Sequence, residues 1–243
     1  MDNMVKTLCI VQARLTSSRL PNKVLMELGT SGLSIAEHVY QRLNMAEYID
    51  KIVFAIPDTP ANDALALFLA KHEIAFERGS EDDVLDRFFQ CAQKYGPEVI
   101  VRATCDNPFV DWIQLDNLIS HLPGYDYVSS LGAPLGTSAE VFLADSLYQA
   151  HANAVSGVEK EHVTPYIYRH PELFKVDRIP YHLNVEKERY RLTVDTELDF
   201  EVVDSLYHQL YHSAPILNSD VYSYMEAHEN LRLNNIDVRQ KTI

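Results

Sequence analysis

The sequence predicts an α/β fold of three layers, in which helices cover both faces of a mixed, mostly parallel sheet. Short apolar runs that are typical of buried strands alternate with amphipathic segments of about ten to fifteen residues. Helix signals fall between the strands: Ser34 and Glu37 form a capping box, and Gly96 ends a later helix. Because a helix lies between successive strands, we expect these strands to be parallel, with right-handed crossovers and with helices on both faces of the sheet.

The predicted elements follow one another without a linker rich in glycine, serine or proline, so we expect residues 1–243 to form one domain. We expect strands at residues 7–12, 51–56, 75–78, 98–103, 125–130, 139–143, 174–179 and 190–194. We expect helices at residues 34–43, 59–73, 84–96, 112–122, 158–170, 198–211 and 219–228, and one more after Asp145; the helix at 158–170 is expected to be interrupted by Pro165.

The composition narrows the range of possible functions. Of the 243 residues, 47% are hydrophobic, which is enough for a full core. The formal net charge of -14 disfavours a nonspecific nucleic-acid binder, because binding to the phosphate backbone needs a broad basic face. The sequence shows no signal peptide and no run of about eighteen apolar residues, so we expect no membrane association and a cytoplasmic location.

The stretch after the first predicted strand is basic, although the chain as a whole is acidic. Residues 3–26 contain no carboxylate but include the four cations Lys6, Arg14, Arg19 and Lys23. Arginine forks, a lysine ammonium and the backbone amides of a hydroxyl-rich turn can converge on phosphate oxygens. The stretch matches neither the Walker-type nor the dinucleotide-binding motif. We therefore predict a triphosphate-binding loop of another kind, with a solvated surface loop as the simpler alternative.

Two aspartates follow apolar runs that are expected to end at the same edge of the sheet. Asp106 follows the predicted strand at 98–103, and Asp195 follows the one at 190–194. Open α/β sheets bind ligands beyond the carboxyl ends of their strands. Mg²⁺ takes a few protein oxygens and completes its shell with water and phosphate. The pair therefore predicts a magnesium site facing the basic loop, whereas either aspartate alone would be more typical of a helix cap or a turn.

Five motifs in one order extend over nearly the whole chain. They are VQARLTSSRLPNKVL from Val11, RGS from Arg78 with DVLDR from Asp83, VRATCDNP from Val101, EHVTPYI from Glu161, and RLTVD from Arg191. With these motifs the chain resembles the spore-coat-polysaccharide-type cytidylyltransferases and, more distantly, the enzymes that make CMP-activated 3-deoxy-octulosonate and sialic acid. The resemblance implies a Rossmann-like nucleotidyltransferase fold of the glycosyltransferase-A type, CTP as the donor, Mg²⁺ as the metal and a homodimer.

The resemblance also implies roles for particular positions. The implied nucleotide-binding residues are Gln12, Ala13, Arg14, Ser17, Arg19, Lys23, Gly79, Ser80, Arg102 and Asp106. The implied metal ligands are Asp106 and Asp195, which together with Arg14 and Lys23 form the implied catalytic set. Acceptor binding and dimerisation fall roughly within residues 125–190, where Ser138, Glu140 and His162 are expected to face the acceptor.

We therefore expect a cytidylyltransferase that transfers CMP from CTP to an acidic sugar or a related small acidic acceptor and releases pyrophosphate, in surface polysaccharide or glycoconjugate biosynthesis. Two alternatives stay open: a sugar transferase of the same fold that consumes a nucleotide sugar, and a non-catalytic nucleotide-binding protein. Three departures from the family pattern concern the metal and the acceptor. Cys105 stands where glycine is usual, Asn107 where cysteine is frequent, and Ser138 where an aspartate is frequent.

Overall fold

The computed structural model describes residues 6–240 and builds them around one sheet of seven strands. The strands are β1 Thr7–Gln12, β2 Lys51–Pro57, β3 Phe76–Gly79, β4 Val99–Thr104, β5 Tyr127–Leu131, β6 Glu140–Leu143 and β7 Val176–Pro180. Their order across the sheet is β3-β2-β1-β4-β6-β5-β7. All neighbouring pairs are parallel except those of β6, which runs antiparallel to β4 and to β5. The sheet is thus mixed and mostly parallel, which confirms the prediction.

Helices cover both faces of this sheet. They are α1 Ile35–Leu43, α2 Asp63–Lys71, α3 Val84–Tyr95, α4 Trp112–His121, α5 Ala144–Asn153, α6 Gly157–His162, α7 Pro165–Arg169, α8 Glu197–Leu210, α9 Asn218–Ala227 and α10 Glu229–Leu233. One core lies under α1, α2, α4, α8 and α9, and a second core lies under α3, α5 and α7 on the opposite face. Among residues 6–240, no helix is long and apolar enough to cross a bilayer.

The central strand β1 shows how the sequence produces these layers. Cys9 and Val11 lie in the first core, while Leu8 and Ile10 lie in the second, and all four are fully buried. Because successive strand residues face opposite sides, a strand between two helical layers needs an unbroken apolar run. The direction in which successive strands are added to the sheet reverses at β1, which pairs with β2 on one side and with β4 on the other. The carboxyl ends of β1 and β4 therefore form the edge where sheets of this kind bind ligands.

Residues 190–194 form no strand, so the prediction was wrong there. The segment makes one isolated bridge, between Leu135 and Arg191, and two of its amides donate to the carbonyls of Leu135 and Asp106. All five residues are nevertheless buried. Their apolar character thus reflects packing in the core and not membership of the sheet.

Two predicted helices also differ from the observed ones. Pro60 opens a 3₁₀ turn, Pro60–Asn62, and α2 begins only after it. The predicted helix at 158–170 is interrupted as expected, but the break lies just before Pro165: α6 ends at His162, Val163 has a φ of 68°, and α7 begins at Pro165. The division matters for function because His162, the last residue of α6, lies at the cavity described next.

Candidate active site

A cavity of about 430 Å³ opens at the carboxyl ends of β1 and β4. Its wall comes from the loop after β1, from the segment after β4 and from more distant parts of the chain. The lining residues are Gln12, Ala13, Arg14, Ser17, Ser18, Arg19, Lys23, Val24, Arg102, Thr104, Cys105, Asp106, Asn107, Leu135, Glu161, His162, Thr193, Asp195 and Gln240. Four of these side chains are cationic and three carry carboxylates, so cations outnumber carboxylates here although the chain is acidic.

A buried asparagine side chain holds the loop after β1 in shape. Asn62, at the end of the 3₁₀ turn before α2, is fully buried, and its Oδ1 accepts a hydrogen bond from the Leu15 amide at 2.8 Å. The Leu15 carbonyl accepts in turn from the amide of Asn22, which has a left-handed backbone (φ 60°) that asparagine tolerates better than most residues. The chain then enters a 3₁₀ turn that points Lys23 into the protein, where it is only 6% exposed.

Lys23 joins the two predicted aspartates. Its Nζ lies 3.0 Å from Asp106 Oδ2 and 3.1 Å from Asp195 Oδ1, and it donates to the Val194 carbonyl at 2.6 Å. Burial disfavours the charged form of Lys23, but the two carboxylates outweigh it and raise the pKa of Lys23 above its ordinary value. Burial also disfavours the ionised form of Asp106, but the charge of Lys23 together with hydrogen bonds from Thr104 and Lys23 outweighs it and lowers the pKa of Asp106. At neutral pH the group is therefore an ammonium held between carboxylates.

Asp195 is surrounded by cations. Besides Lys23, its Oδ2 lies 3.0 Å from Arg19 Nη2 and 3.2 Å from Arg191 Nη2. Arg191 also forms a two-pronged pair with Asp199, with 2.7 Å between Nε and Oδ1 and 3.1 Å between Nη2 and Oδ2. Burial would raise the pKa of Asp199, but the hydrogen bonds and charge of Arg191 outweigh it and lower that pKa. Asp195 is thus held by Arg19 and Lys23, which line the cavity, and by the buried Arg191 behind it.

The two aspartates at the cavity fit Mg²⁺ in chemical type. Their side chains are 29% exposed for Asp106 and 11% for Asp195. Within residues 6–240, no cluster of three or more acidic, histidine or cysteine side chains is arranged to hold a metal by itself. A magnesium ion would therefore take carboxylate oxygens here and complete its shell with water and phosphate, which is its usual preference. Among the described ion pairs, Asp106 has Lys23 as its cation whereas Asp195 has three, so Asp106 is the more available ligand of the two.

Most of the predicted nucleotide-binding residues lie together at this cavity. Eight of the ten line it: Gln12, Ala13, Arg14, Ser17, Arg19, Lys23, Arg102 and Asp106. Gly79 and Ser80 lie outside the wall, at the connection from β3 to α3. The Gly79 carbonyl accepts from the Asp58 amide at 2.7 Å, and Ser80 Oγ accepts from the Asp83 amide at 3.1 Å. That these two residues contact the cytosine base stays a prediction.

One of the three residues predicted to face the acceptor lines the cavity, namely His162. Ser138 Oγ donates to the backbone carbonyl of the next residue at 3.2 Å. Glu140 lies opposite Arg102 in the pairing of β4 with β6, and its side chain forms an ion pair with that arginine. Neither Ser138 nor Glu140 lines the cavity, and Glu140 lies behind Arg102 because the strand register turns it toward that residue.

Other residues reach the cavity that the sequence did not single out. Glu161 Oε1 lies 3.8 Å from Arg14 Nη2. Gln240 Oε1 accepts from Arg191 Nη1 at 3.0 Å, and the Arg239 carbonyl accepts from Arg19 Nη1 at 3.2 Å. The EHVTPYI motif was a signal that could have identified Glu161, whereas no motif marks residues 239 and 240.

Cys105, which stands where the resemblance expects glycine, is a core residue. It is fully packed in the main core, and its amide donates to the Gln12 carbonyl at 2.9 Å. Burial and, to a smaller extent, Asp106 raise the pKa of its thiol far above the ordinary value. The thiol is therefore protonated at neutral pH and offers no nucleophile.

Comparison with known proteins identifies the family to which this geometry belongs. A family model described as cytidylyltransferase matches residues 8–243, nearly the whole chain. This chain belongs to the cytidylyltransferase family. It is accordingly a CTP-dependent nucleotidyltransferase, as the motifs implied.

Individual cytidylyltransferase relatives extend this finding. The spore coat polysaccharide biosynthesis protein SpsF of Bacillus subtilis is 40% identical over 205 residues, which are 82% of this chain and 85% of that protein. An uncharacterized protein of Methanocaldococcus jannaschii is 37% identical over 243 residues, covering 98% of each chain. A solved cytidylyltransferase structure from Leptospira borgpetersenii matches with a TM-score of 0.86 at 24% identity, covering 98% of this chain and 100% of that one. This last similarity confirms the fold.

Proposed function

We propose that this cytidylyltransferase transfers CMP from CTP to an acidic sugar or a related small acidic acceptor, with release of pyrophosphate. The observation that carries the proposal is the presence, in one cavity, of the basic loop after β1 together with Asp106 and Asp195. The similarity to a spore coat polysaccharide biosynthesis protein supports a role in surface polysaccharide or glycoconjugate synthesis. Magnesium as cofactor, a homodimer and a cytoplasmic location are further parts of the proposal.

The two alternatives are less well supported. A sugar transferase that consumes a nucleotide sugar would leave the cationic loop after β1 without a triphosphate to bind. The family itself consists of nucleotidyltransferases, which argues against both a sugar transferase and a non-catalytic nucleotide-binding protein.

The loop cations would hold the triphosphate part of CTP. Arg14 has Glu161 at 3.8 Å as its nearest carboxylate, so its guanidinium is largely available for phosphate oxygens. Arg19 and Lys23 already contact Asp195 and would share their hydrogen bonds with the phosphates. Because negative charge grows on pyrophosphate as it leaves, cations fixed at this end would stabilise the transition state more than the ground state.

In the proposed reaction, an oxygen of the acidic acceptor attacks the α-phosphorus of CTP. The new oxygen–phosphorus bond forms while the bond to the bridging oxygen breaks, and its electron pair leaves on pyrophosphate. A phosphate or phosphonate oxygen is already ionised and needs no general base, whereas the hydroxyl of a keto-deoxy sugar acid would lose its proton to water as the new bond forms. Magnesium held by Asp106 and Asp195 would supply charge neutralisation at the phosphates. The chain's own residues align the two substrates and exclude other orientations.

The proposal is tested by measuring pyrophosphate release from CTP with a panel of keto-deoxy sugar acids, sugar phosphates and phosphonates. We expect release with at least one of these acidic classes and no consumption of UDP- or GDP-sugars. Asp145→Asn is a matched control, because Asp145 is exposed on α5 at the end of the sheet away from the cavity. Consumption of a nucleotide sugar, with no release from CTP in the presence of any acidic acceptor, would overturn the proposal.

A further inference from the structure

The carboxylate of Glu140 accepts hydrogen bonds from other side chains of the protein. Its Oε2 pairs with Arg102, which lies directly opposite on β4. Its Oε1 accepts hydrogen bonds from the hydroxyl of Tyr127 and from Thr164 Oγ1, the latter at 2.8 Å. Both carboxylate oxygens are thus engaged within the protein, so Glu140 is poorly suited to contact a ligand.

Arg102 presents the other side of this pair to the cavity. Its guanidinium lines the cavity wall, and Nη2 also reaches Gln12 Oε1 at 3.3 Å. Because Glu140 balances its charge from behind, Arg102 acts at the wall as a fixed hydrogen-bond donor more than as a free cation. Its position therefore depends on Glu140.

Thr164 connects Glu140 to a strained turn. Val163 is fully buried and has φ 68° and ψ −55°, a conformation that a β-branched residue adopts only under constraint. The Thr164 amide donates to the His162 carbonyl at 2.8 Å, which closes a γ-turn of the rare positive-φ type. Strained backbone of this kind persists only where its surroundings hold it. Here the turn is held by the buried Val163 side chain and by the hydrogen bond from the Thr164 hydroxyl to Glu140.

The turn sets His162 at the cavity wall, beside Arg102 and Glu161. Burial and the charge of Arg102 lower the pKa of His162 below its ordinary value, so the ring is neutral at pH 7. A neutral imidazole and a charge-balanced guanidinium offer hydrogen bonds with little net charge. They suit the hydroxyl groups of a sugar, while the anionic group of an acceptor would be left to Arg14.

We propose that Glu140 is a positioning residue: with Thr164 it holds Arg102 and the turn that carries His162, and so builds the acceptor end of the cavity. That this end of the cavity binds the acceptor rests on the function proposed above. That Glu140 and Thr164 hold His162 in place does not depend on that function. The sequence expected Glu140 to face the acceptor and Arg102 to bind the nucleotide. This inference instead assigns Arg102, with His162, to the acceptor.

Thr164→Val tests the inference, because it removes the hydroxyl from Glu140 without changing any charge. The readout is the pKa of the His162 ring, followed by NMR on the labelled full-length chain and assigned with His162→Gln. The charged groups that act on this ring are Arg102, Glu161, Glu140 and Arg169, and all four are retained in Thr164→Val. Since burial is the main cause that lowers the pKa, a ring released from the wall should titrate closer to the ordinary value of about 6.5.

We expect the pKa of His162 to rise by about half a unit or more in Thr164→Val. Thr164→Ser keeps the hydroxyl and should retain the native value. Thr7→Val should retain it too, because this buried threonine begins β1 at the opposite end of the sheet. An unchanged pKa of His162 in folded Thr164→Val would overturn the inference. If Thr164→Val does not fold, Thr164→Ala, which removes the same hydroxyl with a smaller side chain, should raise the same pKa, and its failure to do so would be equally decisive.

A kinetic readout separates this inference from the proposed function. Thr164→Val should bind CTP in calorimetry as the native chain does, because the loop after β1 is untouched. With 3-deoxy-manno-octulosonate, or whichever acidic acceptor supports turnover, its KM for the acceptor should rise about tenfold while the KM for CTP stays the same. If the native chain turns over no acidic acceptor, the proposed function fails, and the His162 titration still decides the inference. A rise in the KM for CTP alone, with an unchanged His162 titration, would overturn the inference while leaving the proposed function intact.

Discussion

The two ends of the cavity differ in how their charged side chains are paired. The phosphate end is a network of direct ion pairs that runs from the cavity wall into the protein and consists of Arg19, Lys23, Asp106, Arg191, Asp195 and Asp199. At the acceptor end, Arg102 and Glu140 neutralise each other and only the arginine lines the wall. An incoming triphosphate would have to exchange partners with the first group, while the second can stay intact. The phosphate end is therefore suited to binding a large negative charge, and the acceptor end to keeping a shape.

The largest effect should come from the buried pair at the base of the phosphate end. Asp199→Asn removes the charge that balances Arg191 where neither side chain is more than 4% exposed. We expect a loss of about 3 to 5 kcal/mol in the free energy of unfolding, measured by chemical denaturation. Glu201→Gln, exposed on the same helix, should change it by less than about 0.5 kcal/mol. A loss as small as the control's would mean that Asp195 alone balances Arg191.

The two cavity aspartates should differ from each other. Asp106→Asn should lower kcat/KM for CTP-dependent pyrophosphate release about a hundredfold to a thousandfold, with little change in stability, since Asp106 is partly exposed and pairs with Lys23. Asp195→Asn should lower both activity and the free energy of unfolding, because Arg19 and Arg191 also depend on it. Identical profiles for the two variants would remove the distinction drawn here between them.

Gly136 sets how the acceptor-side loop meets the segment that carries Asp195. It has φ 94°, and a Cβ there would lie 2.2 Å from the backbone nitrogen of Thr193. Gly132 is a matched control in the same loop, because it has φ 83° but a Cβ added to it would meet no described atom within 4 Å. We expect Gly136→Ala to cost about 1 to 3 kcal/mol more unfolding free energy than Gly132→Ala. Equal losses in thermal or chemical denaturation would show that the close approach imposes no constraint.

The smallest predicted effect is a dependence on pH that belongs to the phosphate end. The pKa of Asp199 is lowered in the folded chain, so the unfolded chain takes up protons first as the pH falls. The stabilisation by Asp199 is thus complete above its ordinary carboxyl pKa of about 4 and is lost as the pH falls through the folded value. The difference in unfolding free energy between the native chain and Asp199→Asn should shrink by at most about 1.4 kcal/mol per pH unit below pH 4. A difference that grows on acidification would contradict this sign.

The part of the fold around β1 could be predicted because its signals are local. Residues Leu8 to Val11 contribute alternately to the two cores, as one apolar run implies. The Ser34–Glu37 capping box that starts α1 is present as predicted. The joint position of Arg14 and Asp106 at one cavity follows from the rule that parallel strands end at the same edge.

The rest depends on contacts between distant parts of the chain. Glu140 faces Arg102 only because β6 runs antiparallel to β4 in one particular register, which no local pattern specifies. Asn62 and Gln240 have ordinary surroundings in sequence and acquire their roles through Leu15 and Arg191. Residues 190–194 were mistaken for a strand because a buried irregular segment and a buried strand have the same apolar composition.

The most direct test of the central claim is the initial rate of pyrophosphate release from CTP, in the presence of Mg²⁺, with and without acidic sugar acceptors. We predict acceptor-dependent release by the native chain and by Asp145→Asn, and a rate lower by about a hundredfold or more for Asp106→Asn. Near-native release by Asp106→Asn, or no release by the native chain with any acidic acceptor, would contradict the account.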